Sequence, residues 1–534
     1  MLKFLSDNYS INKRRERFLL FMIIILNLLI KAIPAAILEL GNDEAYYWTY
    51  ALFPDWSHFD HPPMVGLTIQ LFSLNLKFEN EFFIRLGSLV LSSLSIIILF
   101  YLVKRIYSQR AAFISILLFT ASFYFNIISG LFILPDTPQT LFILLALYFG
   151  LPSITSENPT TFNSKNILLF GLFAGLAFLS KYHSLFLWFG FGIYILLHNR
   201  VWLKKPSLYI SALITLIVMT PVLYWNIKNN FISFTFNGNR ADIFHSHIDL
   251  KTFVQFNLGE FFYQNPVLFV VFILALFSAF GKMRDKNKEM NRLLAYLSLP
   301  LILFFTLLSV FRNTLPHWTG PVFICMIILS SGWLSDIFEK RKKVVSYTIL
   351  AANVLFILVV TVGTIQIRNG SILPADSNSD PTKVGRNDFT LDMFGWDQAG
   401  KKFSQFLSKE NITSVDFDKV KIISNKWFPA AHLDFYLAHP LKLDLIVPAG
   451  LEAAHKYYWI NKSRHINEDD RVFFITTSQQ YFAPDGFKSL FREIIPKDTL
   501  HIVRNGHLVK NLFIYEMAGF RADSARFYYF NESL

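Results

Sequence analysis

The chain has 534 residues, of which 53% are hydrophobic and 17% aromatic, and its mean hydropathy is +0.39. A soluble globular protein cannot bury that share of apolar side chains, so the composition excludes a purely soluble protein and favours one embedded in a bilayer. The single cysteine, Cys325, excludes an intramolecular disulfide.

The formal net charge of +12 is unevenly distributed along the chain. Residues 367–534 hold 21 Lys and Arg against 20 Asp and Glu, so the basic excess lies in residues 1–366, among the apolar runs. Basic loops between apolar runs are typical of membrane proteins, whereas a nucleic-acid-binding protein carries its excess on a solvated face. We therefore expect no nucleic-acid partner.

Apolar runs long enough to cross a hydrocarbon layer of roughly 30 Å predict about eleven transmembrane helices. With the N-terminus in the cytoplasm, every second loop is basic, as the positive-inside rule requires. The first run is too long for a cleaved signal peptide, so we expect it to be retained. The predicted spans lie near residues 18–40, 83–103, 111–130, 137–152, 166–180, 183–198, 207–225, 264–281, 293–311, 317–335 and 344–366.

Residues 367–534 are polar and balanced in charge, which predicts a small extracytoplasmic α/β domain. The segment from Asn369 to Asp388 is rich in Gly, Pro, Ser, Asn and Asp and is interpreted as the linker. Helices are predicted at 396–410 and 429–438, and strands at 420–424 and near 442–447, 471–476 and 511–516. The predicted domains are therefore a membrane domain, 1–366, and an outer domain, 367–534.

Two adjacent carboxylates, Asp43 and Glu44, open the first outer loop in the motif GNDEAYYW. Carboxylates at a membrane surface are costly without a partner or a function. One interpretation is that they cap a loop helix as anions at its N-terminus. The interpretation that we prefer makes Asp43 a general base that accepts a proton from an acceptor hydroxyl or amine.

The same loop continues DWSHFDHPPM, with His58, Asp60 and His61 before two prolines. The spacing of these side chains matches no closed metal site, so we expect no metal and interpret the segment as loop architecture or substrate positioning. Another acid, Asp136, follows in LFILPDTPQT. Either a cap at the start of the fourth span or a direct substrate role fits Asp136.

Three cations lie on the outer face, where the positive-inside rule disfavours them: Lys181 in LSKYHS, Arg85 in FFIRLGS and Arg312 in VFRNTLPHW. Each could reach lipid phosphates by snorkelling. Together with the carboxylates, they predict a site that binds a lipid phosphate, because Lys and Arg stabilise charge on a phosphate leaving group.

The segment PVLYWNIKNNF places Trp225 and Asn226 at the predicted interface. An aromatic belt explains these residues, and so does stacking on a sugar face. No phosphate-binding loop of the form GxxxxGK[ST] and no GxGxxG fingerprint is found in the sequence, which fits a donor delivered by a lipid. We therefore expect no cofactor.

The motifs GNDEAYYW, DWSHFDHPPM, PDTP, LSKYHS, PVLYWN and NTLPHW, in that order, resemble bacterial GT-C glycosyltransferases. These enzymes are related to the dolichyl-phosphate-mannose protein mannosyltransferases and to the lipid A aminoarabinose transferase. The resemblance covers most of residues 20–330. It implies a polytopic α-helical membrane protein of GT-C type with a C-terminal extracytoplasmic α/β domain.

The resemblance also implies an inverting transfer from a polyprenyl-phosphate-linked sugar to a lipid, glycan or protein at the outer face of the cytoplasmic membrane. Asp43 is then the base, and Lys181 and Arg85 lie near the carrier phosphate, with Asp136 orienting one of them. Membrane lipids are the other partners. The predicted catalytic residues are Asp43, Glu44 and Asp136, and the predicted substrate-binding residues are Lys181, Arg85, His61, Tyr182, Trp225, Asn226 and Arg312.

Two other classes of protein fit part of the pattern. A transporter or flippase also places charges among helices, but it predicts broken helices at the midplane and charges that line both faces. An envelope assembly protein would use the membrane part as an anchor, for which eleven spans are excessive. Because the acids and isolated cations collect on the outer face, we favour the enzyme.

Overall fold

A computed structural model describes residues 12–155, 164–243, 247–280, 287–372 and 379–521. The chain divides into two compact units. The first comprises Met1–Ala35 and Asp55–Val360, and the second comprises Ala36–Pro54 and Thr361–Leu534. The segment 36–54, which holds Asp43 and Glu44, is thus part of the same unit as the C-terminal region.

The chain is helical as far as residue 369, and every helix there except α2 lies wholly or mainly in the first unit. In order, these helices are α1 (Lys13–Ile37), α2 (Asn42–Leu52), α3 (Met64–Phe72), α4 (Glu81–Ile106), α5 (Gln109–Ala121), α6 (Asp136–Ile154), α7 (Ser164–Phe178), α8 (Phe186–His198), α9 (Pro206–Lys228), α10 (Ile232–Arg240), α11 (Leu250–Tyr263), α12 (Pro266–Phe280), α13 (Lys288–Leu308) and α14 (Phe323–Asn369).

Within the described residues, six helical segments are long and apolar enough to cross a bilayer: α1, α4, α6, α9, α13 and the segment Pro316–Asn369 that contains α14. Helices α11 and α12 together form one further candidate span, bent by 99° at its break. Three shorter apolar segments, Gln109–Ala121, Ser164–Phe178 and Tyr182–His198, are also present. The protein is a multi-pass membrane protein, and the number of about eleven spans stays a prediction.

Several element boundaries differ from those predicted. The run at 111–130 is not one helix, because Ser122 has an extended backbone (φ −73°, ψ 127°) that ends α5 before a π-helical turn at Tyr124–Ile128. The runs 317–335 and 344–366 both lie in the segment Pro316–Asn369, in which Arg341 of α14 leaves the helical region (φ −134°, ψ 38°). Part of the predicted linker and part of the basic loop that follows the predicted span at 264–281 lie outside the described residues.

Close packing of α7 against its neighbours fixes the end of α7 that leads to Lys181. A Cβ atom on Gly171 would lie 2.2 Å from the carbonyl oxygen of Ser211 on α9, so only glycine permits this approach. The hydroxyls of Ser211 and Thr215 donate to the carbonyls of Ile167 and Gly171 across the same interface. Helices α6 and α7 also pack together, and they lead to Asp136 and Lys181 respectively.

The second unit contains a five-stranded sheet of order β2-β1-β3-β5-β4. Its strands are β1 (Val420–Ile423), β2 (Asp444–Ile446), β3 (Arg471–Thr477), β4 (Phe491–Arg504) and β5 (His507–Phe520). Strand β1 is parallel to β2 and β3, whereas β5 is antiparallel to β3 and β4. The helices of this region are α15 (Trp396–Lys409), α16 (Trp427–Leu433), α17 (Leu451–Ala454) and α18 (Tyr457–Ile460).

A buried histidine in this unit makes its stability depend on pH. The ring of His432 stacks on Trp396, with ring centroids 4.3 Å apart, and its Nε2 lies 2.9 Å from Asn42 Oδ1. Burial lowers the pKa of His432 well below its ordinary value of 6.5, and the charge of Lys510 lowers it further. The folded protein therefore keeps this ring neutral while the unfolded chain takes up a proton below about pH 6.5.

We expect the free energy of unfolding to fall as the pH drops below about 6.5, with His432 contributing up to about 1.4 kcal/mol per pH unit. The measurement is the midpoint of thermal unfolding in detergent between pH 7 and pH 5, for the wild type and for His432→Gln. The variant lacks the titrating ring, so its midpoint should fall less steeply over this range. Equal slopes would contradict the assignment.

Candidate functional site

The first unit contains a buried ion pair between Asp136, at the start of α6, and Lys181, just after α7. Lys181 Nζ lies 2.9 Å from both Asp136 Oδ1 and Oδ2, and the hydroxyl of Tyr124 donates to Oδ1 at 2.5 Å. Both charged side chains are buried. The two charge-assisted hydrogen bonds fix the direction of the ammonium group, which fits the orienting role that the resemblance implies for Asp136. A direct substrate role for Asp136 stays a prediction.

Three histidines surround this ion pair. The charges of Asp136 and Lys181 act on His61, on His183 and on His317, which precede α3, α8 and α14 respectively. Burial lowers the pKa of His61 to about 4, so its ring is neutral near pH 7. A neutral imidazole ring can donate one hydrogen bond and accept another without adding charge.

Histidines and carboxylates are also metal ligands, so their arrangement matters. In the described ranges of the chain, no group of three or more His, Cys, Asp or Glu side chains has the geometry to hold a metal ion. The expectation of a metal-free site remains a prediction.

A set of buried polar groups lies beside the same segment. The hydroxyl of Tyr182 lies close to the side chains of Ser57, Asn226 and Ser233. Yet Tyr182 Oη, Ser57 Oγ and Asn226 Oδ1 are buried without a hydrogen-bond partner within the part of the chain that the structure describes. Buried polar atoms are normally paired, so this cluster has hydrogen-bonding capacity for a hydroxyl-bearing ligand or for water.

Trp225 does not occupy a lipid-facing aromatic belt. Its ring is buried, and its Nε1 donates to Asp55 Oδ2 at 2.8 Å. This bond ties the end of α9 to the loop that precedes α3. A sugar contact by Trp225 stays a prediction.

The two predicted arginines, Arg85 and Arg312, each donate a hydrogen bond to a backbone carbonyl oxygen. Arg85 is fully buried on α4, where its Nη1 donates to the carbonyl oxygen of Ala35 at 3.2 Å and its guanidinium lies 5.7 Å from the ring centroid of Phe132. Burial does not fit snorkelling to lipid for Arg85. Arg312 Nε donates to the carbonyl oxygen of Asp242 at 2.5 Å. Their contacts with a carrier phosphate stay predictions.

The two predicted acids of the first loop belong to the second unit. Asp43 and Glu44 lie in the first turn of α2, where Glu44 is buried and its Oε2 accepts from the backbone N–H of Gly41 at 2.9 Å. Glu44 therefore caps the helix, which is the alternative interpretation of the pair. Asp43 is exposed, as a base that meets an acceptor must be.

Three residues near the Asp136–Lys181 pair and one further buried acid were not singled out from the sequence. His183 and His317 stand in the quoted motifs LSKYHS and NTLPHW but were not interpreted. Glu260, a buried acid on α11 that accepts from the hydroxyl of Thr319 at 2.6 Å, carries the signal of an acid among apolar residues. Tyr124 carries no signal, because an aromatic residue in an apolar run is expected.

Comparisons with known proteins agree with this architecture. Residues 60–225 match the family of dolichyl-phosphate-mannose-protein mannosyltransferases. The lipid A galacturonosyltransferase RgtD of Rhizobium johnstonii is 25% identical over 321 residues, which cover 59% of this chain and 64% of that protein. The predicted resemblance to this superfamily is confirmed.

Solved structures show the same fold. The crystal structure of ArnT from Cupriavidus metallidurans bound to undecaprenyl phosphate has a TM-score of 0.61 and 14% identity, covering 92% of this chain and 97% of that one. The apo structure of the same protein has a TM-score of 0.59 and 14% identity, covering 93% and 98%. The predicted fold class, a polytopic helical membrane protein of GT-C type with a C-terminal α/β domain, is confirmed.

The close packing of the Tyr124 ring against Gly320 can be tested by measuring protein stability. A Cβ atom on Gly320 would lie 2.0 Å from Cε2 of the buried Tyr124 ring. Because the ring has no free space, we expect Gly320→Ala to lower the free energy of unfolding by about 1–3 kcal/mol or more. The measurement is thermal unfolding in detergent. The matched control is Gly192→Ala on α8, where a Cβ atom meets nothing within 4 Å; equal unfolding midpoints would contradict the packing described.

Proposed function

We propose that this protein is a membrane glycosyltransferase that moves a sugar from a polyprenyl-phosphate carrier to a lipid, glycan or protein acceptor. The observation that carries the proposal is the match of residues 60–225 to the mannosyltransferase family, because this range contains the Asp136–Lys181 pair. ArnT, whose fold the chain shares, has been crystallised with undecaprenyl phosphate. The aligned region spans 64% of RgtD, so its activity also enters here as a proposal.

The chemistry uses few groups. The acceptor hydroxyl or amine attacks the anomeric carbon, the bond from that carbon to the phosphate oxygen breaks, and polyprenyl phosphate leaves with the bonding electrons. Asp43 accepts the proton that the acceptor loses. An attack opposite the leaving group inverts the configuration at the anomeric carbon.

Lys181 is proposed to bind the carrier phosphate. An ammonium group has three donors, and the bonds to Asp136 Oδ1 and Oδ2 use two of them. The third is available for a phosphate oxygen, and in a buried site a charge-assisted bond of this kind stabilises the leaving group strongly. Asp136 holds the ammonium in place in this account.

The proposed location is the cytoplasmic membrane, with a cytoplasmic N-terminus and an extracytoplasmic C-terminal domain. The basic loops support this orientation through the positive-inside rule. The matched family and the relatives named above are transferases, which favours an enzyme over a transporter or flippase.

The test is sugar transfer by purified protein in liposomes of phosphatidylethanolamine and phosphatidylglycerol. The donors are polyprenyl-phosphate-linked sugars, beginning with galacturonic acid, and lipid A is the first acceptor, since RgtD is a lipid A galacturonosyltransferase. Nucleotide-linked sugars serve as the comparison. Transfer from the lipid-linked donor alone supports the proposal. Transfer from the nucleotide donor, or from none of the polyprenyl-phosphate sugars, overturns it.

A further inference from the structure

The N-terminal end of α2 is held by side chains from the C-terminal part of the second unit. Asn42 Nδ2 donates to Asp392 Oδ2 at 2.8 Å, and Asn42 Oδ1 lies 2.9 Å from His432 Nε2. All three residues belong to one unit, although about 350 positions separate Asn42 from Asp392 in the sequence. Asn42 is the residue immediately before Asp43.

These two contacts determine the orientation of the amide. Its NH₂ group must face the carboxylate of Asp392, because a carboxylate accepts and an amide nitrogen donates. Its oxygen then faces His432 Nε2, so that nitrogen carries the hydrogen and donates. His432 is itself fixed, since its ring is buried and lies nearly parallel to Trp396, with an interplanar angle of 2°. The amide of Asn42 is thus bound from both sides.

Glu39 and Leu40, shortly before Asn42, are bound to the same region. Glu39 Oε2 accepts from the backbone N–H of Trp396 at 2.7 Å, and the backbone N–H of Leu40 donates to the hydroxyl of Tyr436 at 2.8 Å. Lys510 Nζ, which donates to the carbonyl of Leu391 at 2.7 Å, lies 4.1 Å from the ring centroid of Trp396. The chain is therefore immobilised at positions 39, 40 and 42, directly before Asp43.

Helix capping does not account for Asn42. The N-cap of α2 is Gly41, and Glu44 Oε2 accepts from the backbone N–H of Gly41. The Asn42 side chain instead points to Asp392 and His432. A half-buried amide with both ends paired in this way specifies one arrangement of the backbone rather than merely ending a helix.

We propose that Asn42 is a positioning residue, which acts through its bonds to Asp392 and His432 to fix the carboxylate of Asp43 for proton transfer. The inference rests on the proposed function, in which Asp43 is the base. Glu44 and Tyr46 on the same helix are buried, whereas Asp43 is exposed, so the backbone on both sides of the reactive group is fixed. In this account, the C-terminal part of the second unit keeps Asp43 in the position that proton transfer requires.

The test is steady-state transfer from a polyprenyl-phosphate sugar by the full-length Asn42→Ala variant. A displacement of a catalytic group by about 1 Å can cost 10²-fold, so we expect kcat to fall by roughly 10- to 100-fold. The KM for the donor should stay within twofold, because Asn42 does not contact the donor. The matched control is Asn467→Ala, an exposed asparagine of the same unit that bonds to Asp470, which should keep the wild-type kcat.

Further variants separate positioning from general damage. Asp392→Asn keeps an oxygen that can accept from Asn42 Nδ2, so its kcat should stay near the wild type, whereas Asp392→Ala should resemble Asn42→Ala. The double variant Asn42→Ala/Asp392→Ala should lose no more than Asn42→Ala alone, because both changes remove the same bond. If Asn42→Ala does not fold, the same kcat measurements are made on Asn42→Ser.

The outcomes are distinct. If the wild type transfers no sugar, the proposed function fails, and the inference fails with it. If the wild type transfers sugar and Asp43→Asn does not, but Asn42→Ala matches Asn467→Ala in kcat, only the positioning role is overturned. Additive losses in the double variant would also overturn it, since they show that the two residues act independently.

Discussion

Replacement of Asp43 by asparagine is expected to abolish sugar transfer while leaving the fold intact. The side chain is exposed at the start of α2, and the change is isosteric, so the folded state loses little. General base catalysis typically raises the rate of a reaction by about 10²- to 10⁴-fold. We therefore expect kcat to fall by at least about 10²-fold. The measurement is transfer from a polyprenyl-phosphate sugar by purified variants at equal concentration.

The control for this variant is Asp485→Asn. Asp485 is an exposed acid of the same unit, and it pairs with Lys488 at the surface. The Asp485→Asn variant should transfer sugar at the wild-type rate, and its unfolding midpoint should equal that of Asp43→Asn. If Asp43→Asn also keeps the wild-type rate, Asp43 is not the base and the mechanism proposed above is wrong.

Much of the membrane architecture follows from the sequence because hydropathy and loop charge are local properties. The apolar runs at 18–40 and 207–225, for example, correspond to α1 and α9. Breaks within runs are harder to predict, since they depend on single backbone conformations such as those of Ser122 and Arg341. An apolar run alone does not show where its helix ends.

The C-terminal strands were predicted from short runs of β-branched and aromatic residues, a signal that buried strands carry and that strands rich in charged residues lack. Strand β3 is buried almost throughout and was predicted, whereas β4 alternates irregularly and contains Pro496, Lys497 and Asp498, so it was missed. A signal was nevertheless available: Asn505 and Gly506, with φ of 50° and 82°, form the turn between β4 and β5. An Asn-Gly pair between two runs is a strong hairpin signal.

The grouping of residues 36–54 with the C-terminal region could not be predicted from sequence patterns. It depends on contacts such as Asn42 with Asp392, which join positions far apart along the chain. The pairing of Asp136 with Lys181 is of the same kind, since their sequence separation is 45 residues. The sequence offers candidate residues for the chemistry, but the folded chain determines which of them meet.

Variants of the Asp136–Lys181 pair should show separately what the pair contributes to protein stability and to sugar transfer. Removing one partner of a buried ion pair leaves an uncompensated charge, which typically costs about 3–5 kcal/mol. We therefore expect Asp136→Asn and Lys181→Met each to lower the midpoint of thermal unfolding in detergent strongly. The control is Lys419→Ala, whose ion pair with Asp469 is largely exposed, so the unfolding midpoint should stay close to that of the wild type.

The double variant Asp136→Asn/Lys181→Met decides the role of the pair. It leaves no unpaired charge at the site, so its unfolding midpoint should recover most of the loss seen in the single variants. Sugar transfer should not recover, because the variant lacks the ammonium group that is proposed to bind the carrier phosphate and to stabilise the charge on the leaving group. A double variant that is stable and transfers sugar at the wild-type rate would show that the pair serves the fold alone.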